Sequence, residues 1–83
     1  MLLSGIVVDA EGRPVADARV ALAAAPVEVP DIAVLTGVDG EFSIAVPVAG
    51  SYRVAAHGDH GMAQETVEVE HGGAAAVRLV IRP

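Results

Sequence analysis

Apolar and polar side chains alternate with a period of two along most of this chain. The clearest stretch is 41–46, where Phe42, Ile44 and Val46 fall on one side and Glu41 and Ser43 on the other. Successive side chains of a strand point to opposite faces, so this spacing predicts a strand with one face in a core. Similar patterns predict six more strands, over 3–9, 18–24, 33–38, 51–57, 62–70 and 75–82. Their inward residues are Leu3 and Val7, Val20 and Leu22, Tyr52, Val54 and Ala56, Val67 and Val69, and Val77, Leu79 and Ile81. Arg19, Arg53, Glu68, Glu70, Arg78 and Arg82 fall outward. Alanines near 21–25 and 74–76 have helix propensity, but their neighbours keep period two, so no helix is predicted.

Turn residues separate these segments at roughly eight- to twelve-residue spacing, the rhythm of a sandwich or barrel. Gly12 can take positive φ in the turn 9–14, and Pro14 stops the ladder. Pro26 and Pro30 make 25–31 a loop or an edge excursion. Asp39-Gly40 predicts a tight hairpin between the third and fourth strands. Further turns fall at 47–50, 58–61 and 71–73. The last would make a hairpin with Glu68 and Glu70 across from Arg78, each such pair worth about 0.2–1 kcal/mol.

Composition narrows the function classes. The chain has 83 residues, enough for one domain spanning 1–83. It has no cysteine, hence no disulfide framework and no thiolate. Aromatics are 2% against 53% apolar residues, so the core must be built from Val, Ile, Leu and Ala around Phe42 and Tyr52. The net charge is −6, lysine is absent and the five arginines are scattered. A nucleic-acid or anionic-membrane surface needs clustered basic groups, so neither partner is expected. No apolar run has the length of a membrane-spanning helix. The opening Met1-Leu2-Leu3-Ser4-Gly5 lacks a basic region and runs into a strand pattern, so it does not read as a signal peptide. The compartment stays open, including extracellular or cell-envelope placement through a parent protein.

An ordered set of motifs resembles one family. Gly5-x-Val7-x-Asp9, Gly12-x-Pro14-Val15 and Ala18-x-Val20 are followed by Thr36-x-x-Asp39-Gly40-x-Phe42-x-Ile44, Gly50-x-Tyr52, Val67-x-Val69 and Val77-x-Leu79. Together they resemble the carboxypeptidase regulatory-like domains across nearly the whole chain. The resemblance implies a seven-stranded, Greek-key β-sandwich of the transthyretin or prealbumin type. It also implies a non-catalytic accessory module, of the kind found beside metallocarboxypeptidase domains, in bacterial surface proteins and outer-membrane receptors, and on secretion-system spikes. Two activities of similar domains do not carry over. An internal Lys-to-Asn or Lys-to-Asp isopeptide bond is impossible without lysine. The hydroxyisourate hydrolases end in Tyr-Arg-Gly-Ser, whereas this sequence ends Val80-Ile81-Arg82-Pro83.

Three groups of residues carry candidate chemistry. His57, Asp59 and His60 in the turn 57–60 are weak candidates for zinc or copper ligands; a solvated glycine-rich turn is the favoured reading. His71 lies at the far end of the sixth predicted strand, over about 20 Å away at 3.3 Å per residue. If strands alternate direction, Asp9, Glu11, Asp39 and Asp59 gather at one pole, where carboxylates could attract calcium, although Asp is also a favoured turn residue. At the other pole Val27 and Val29 expose apolar surface, and Ile6, Val8 and Val80 face away from the core on their strands. These five residues form a candidate interaction surface for a partner domain or a second copy of the chain. Ser4, Ser43 and Ser51 have no histidine with motif support, so no catalytic residue is assigned and no cofactor is implied. The expected role is a non-catalytic structural or protein-interaction module; a metal- or carbohydrate-binding module is the alternative. Sugar binding usually uses an exposed ring, and Tyr52 is predicted inward.

Overall fold

The computed structural model describes residues 1–29, 33–59 and 61–82. It contains seven strands: β1 (Leu2–Val8), β2 (Arg19–Ala24), β3 (Ala33–Leu35), β4 (Glu41–Ala45), β5 (Gly50–Gly58), β6 (Gly61–Val69) and β7 (Ala74–Val80). They form two sheets, ordered β4-β1-β7 and β3-β2-β5-β6, as expected for an all-β sandwich. Only β2–β3 and β5–β6 are consecutive strands paired in the same sheet. The other four connections cross between the layers, which is the Greek-key character of the fold.

Alternation works as the sequence implies. Leu3, Val7, Val20, Phe42, Ile44, Tyr52, Val54, Ala56, Val67, Val69, Leu79 and Ile81 are buried together between the sheets. Each fully buried aliphatic side chain contributes about 1.5–3 kcal/mol relative to exposure. Leu22 and Val77 pack against this cluster but are only partly buried. Tyr52 is 0% exposed, and its hydroxyl donates a 2.6 Å hydrogen bond to the Val48 carbonyl. One turn thereby satisfies the only polar atom that this ring carries into the core.

Two predicted hairpins are absent. Asp39-Gly40 does not join paired strands, because β3 and β4 belong to different sheets. β3 stops at Leu35, and Thr36 is then held by residues before β2. Its Oγ1 accepts from the Ala18 amide at 2.9 Å and donates to the Val15 carbonyl at 2.6 Å, which turns the chain toward the other layer. Gly40 keeps the positive φ of 78° that the turn chemistry requires. Its carbonyl accepts from the Val7 amide at 2.8 Å, so the turn docks on β1. Likewise β6 pairs with β5, whereas β7 pairs in parallel with β1. Glu68 and Glu70 are therefore not cross-strand partners of Arg78. Ser51 donates its hydroxyl to Glu68 instead. Local turn signals specify a reversal of direction, but they do not say which sheet the chain re-enters.

Candidate docking faces and the acidic end

The acidic end is built from turns. Asp9 follows β1, and its carboxylate accepts from the Glu11 amide at 3.0 Å, the Arg13 amide at 2.9 Å and Arg13 Nε at 3.2 Å. Arg13 also reaches Glu11 at 3.6 Å. The hydrogen bond from the Arg13 amide, helped by the Glu11 amide and the guanidinium charge, lowers the Asp9 pKa against a smaller opposing effect of burial. Asp39 is engaged in the same manner, accepting from the Glu41 amide at 3.1 Å. Two of the four carboxylates expected at this pole thus act as turn caps.

The predicted gathering is found in part. Asp9 and Asp59 line one small cleft of about 250 Å³, floored by Val15 and Ile81. Glu11 and Asp39 do not line it; Asp17 does, and it was not among the candidates. Asp17 sits at φ 58°, a left-handed conformation in which Asp is over-represented, and that local cue gives no hint of the cleft. Among the described residues, no group of three or more His, Asp or Glu side chains is placed to hold a metal ion. Of the metal candidates, His57 is exposed on the outer face of the β3-β2-β5-β6 sheet, beside Arg19, while Asp59 lines the cleft. His60 lies outside the described residues.

Both aromatic rings are committed to the core, Phe42 at 6% and Tyr52 at 0% exposure, so neither offers a platform for a sugar. The serines are not set up as nucleophiles: Ser4 Oγ points to the Ala75 carbonyl at 3.5 Å, and Ser51 bonds Glu68.

The apolar candidates separate into different places. Ile6 and Val80 lie on the outer face of the β4-β1-β7 sheet and are half-buried. Val8 is a correction: it points the same way but is only 3% exposed, and so cannot offer contact area. β4 does not extend as far as Val8; Pro14 bridges to Val8 in its place, while Val80 pairs on the other side. A strand-by-strand reading of the sequence cannot see a loop return to cover an edge. Val27 is 44% exposed in the loop after β2, and Val29 is half-buried there.

What the candidates omitted is the setting of Ile6. Ser4, Ile6, Ser43, Glu41, Ala76 and Arg78 line an open depression of about 820 Å³ on this outer face. Its floor is made of small side chains at outward positions of three adjacent strands. Period-two counting alone would have found those positions; their being adjacent needed the strand order. On the opposite sheet a second row runs Leu35, Arg19, His57, Met62, with the two apolar ends exposed at 65% and 42%.

A search of the curated proteins found no match. The family model described as carboxypeptidase regulatory-like domain matches residues 3–82. That family is non-catalytic, and its members often serve in protein interaction. The match covers all seven strands save Leu2 at the start of β1, and the chain belongs to the carboxypeptidase regulatory-like domain family.

Proposed function

We propose that this chain is a structural and protein-interaction module, an accessory or extension domain of a larger bacterial surface, secreted or secretion-apparatus assembly. The observation that carries this reading is the outer face of the β4-β1-β7 sheet. It presents Leu2 at 44% exposure, Ile6 and Val80 on a bed of serine and alanine, with charge confined to Glu41 and Arg78. A rigid sheet presenting small and apolar side chains suits docking against another protein surface, since little side-chain entropy is lost on contact. Two of the carboxylates that could do chemistry, Asp9 and Asp39, are tied into turns.

Photo-cross-linking tests the reading. A photoreactive residue at Ile6 should give protein adducts in cells, whereas one at Arg53, on the other sheet's outer face, should give far fewer. Equal labelling at both positions, or none at either, would count against a specific docking face. Cation binding is the second reading: Asp9, Asp17 and Asp59 line one cleft, though they are not grouped as a set of metal ligands. Calorimetric titration with calcium and zinc decides it, and a saturable heat that Asp59→Asn abolishes would establish it.

A further inference from the structure

The outer face of the β4-β1-β7 sheet carries its charge in one cross-strand row. Ile6 stands in the middle, paired with Glu41 on β4 and with Arg78 on β7. The neighbouring rows, Ser43–Ser4–Ala76 and Ala45–Leu2–Ala74, are uncharged. Among the described residues both salt bridges belong to Arg13, so neither Glu41 nor Arg78 has an ion-pair partner there. The two lie on opposite sides of β1, about 10 Å apart at two strand spacings.

The geometry points to this face as the contact with a second copy of the chain, related by a two-fold axis running along β1 between the facing sheets. The inference rests on the interaction-module reading and names its partner. A rotation about that axis exchanges left and right, so β4 of one copy lies over β7 of the other. Glu41 then meets the partner's Arg78, and Arg78 meets the partner's Glu41. Ile6 packs on the partner's Ile6 at the axis, and the serine and alanine rows lie over one another. An axis across the strands through the same row would stack Glu41 on Glu41 and Arg78 on Arg78, which like-charge repulsion disfavours. The charge row therefore selects one self-complementary arrangement. Small side chains in the flanking rows allow the two sheets to approach at least as closely as the usual 10 Å or so.

The size of the face sets the strength. The three strands, of seven, five and seven residues, cover roughly 300 Å² per copy at normal strand spacing and rise. A stable interface buries about 800 Å² per partner, so this contact is weak and depends on concentration or on tethering within a larger assembly.

Sedimentation velocity over the micromolar to millimolar range tests it, with circular dichroism checking that each variant is folded. The wild-type chain should show reversible dimerisation. Glu41→Arg alone and Arg78→Glu alone should each weaken it by about tenfold or more, because each brings like charges together twice. The double variant E41R/R78E should recover most of the loss. A strict monomer at millimolar concentration overturns the inference, as does a dimer indifferent to the single reversals or not recovered by the double one. Should a reversal perturb folding, Ala76→Glu tests the face without the charge row: it sets a carboxylate over the partner's Ser43 and should weaken dimerisation. A monomer whose Ile6 cross-links to another protein sinks self-docking and leaves the module reading standing. Absence of any protein adduct, with saturable cation heat, sinks the module reading itself.

Discussion

The ring of Phe42 lies across Gly5. The two residues are directly paired between β4 and β1 on the core side, and a Cβ built on Gly5 would fall 2.9 Å from Cε1 and Cζ of that ring. The same Cβ would also press on the Val77 carbonyl of the parallel neighbour. A missing side chain on the central strand is thus filled by an aromatic ring from the strand beside it.

Gly5→Ala should therefore destabilise the fold by about 1–3 kcal/mol through overpacking. Phe42→Ala should cost about 3–5 kcal/mol by opening a cavity. Because the residues share one space, their effects should not add. Urea denaturation of the two single variants and the double variant measures the coupling, and strict additivity would contradict the contact.

Among the described residues, Thr36 is the buried polar residue apart from Tyr52 with its ring hydroxyl. Thr36→Val keeps the shape but removes both the acceptor of the Ala18 amide and the donor to the Val15 carbonyl. Leaving such buried groups unpaired costs about 1–3 kcal/mol. Thr36→Ser retains the oxygen and should lose much less. A Thr36→Ser variant with a lower denaturation midpoint than Thr36→Val would show that the methyl group matters rather than the hydroxyl.

Tyr52→Phe removes a single hydrogen bond, to the Val48 carbonyl in the turn before β5. The expected loss is about 0.5–1.5 kcal/mol. Amide hydrogen exchange should quicken in the turn 47–50 more than in β6. Uniform quickening would mean that the hydroxyl does not hold that turn in particular.

Asp9 makes stability depend on acid. Its folded pKa lies below the ordinary 3.8, so the unfolded chain binds the proton more readily across the interval between the two values. The contribution is complete above 3.8 and fades as pH falls through the folded value. Asp9→Asn should flatten this part of the pH profile of the urea midpoint. A variant profile as steep as the wild type's would assign the effect to other carboxylates.

The strands were legible because burial in a two-layer fold imposes a period of two, and Phe42-x-Ile44-x-Val46 or Val67-x-Val69 can satisfy it in only one way. The inward position of Tyr52 and the turn at Gly40 followed from the same kind of local constraint. Strand partners were not legible. Asp39-Gly40 looks like a hairpin from either side, yet Thr36 sends the chain into the other sheet. Arg78 looks like a partner for Glu68 until β7 is found beside β1. The acidic cleft was half-legible: Asp9 and Asp59 follow from strand direction, but Asp17 enters through a loop whose path no periodicity encodes.

By itself, the order of side chains determined which residues face inward, where the backbone reverses, and, with cysteine and lysine absent, which covalent chemistry is impossible. These are properties of single strands and single residues, set by pleat geometry and by side-chain identity. The pairing of β1 with both β4 and β7, the covering of Val8 by Pro14, and the row of Glu41, Ile6 and Arg78 were decided only in three dimensions. Each depends on which distant strands share a hydrogen-bonded edge, and that choice rests on how well two whole layers pack.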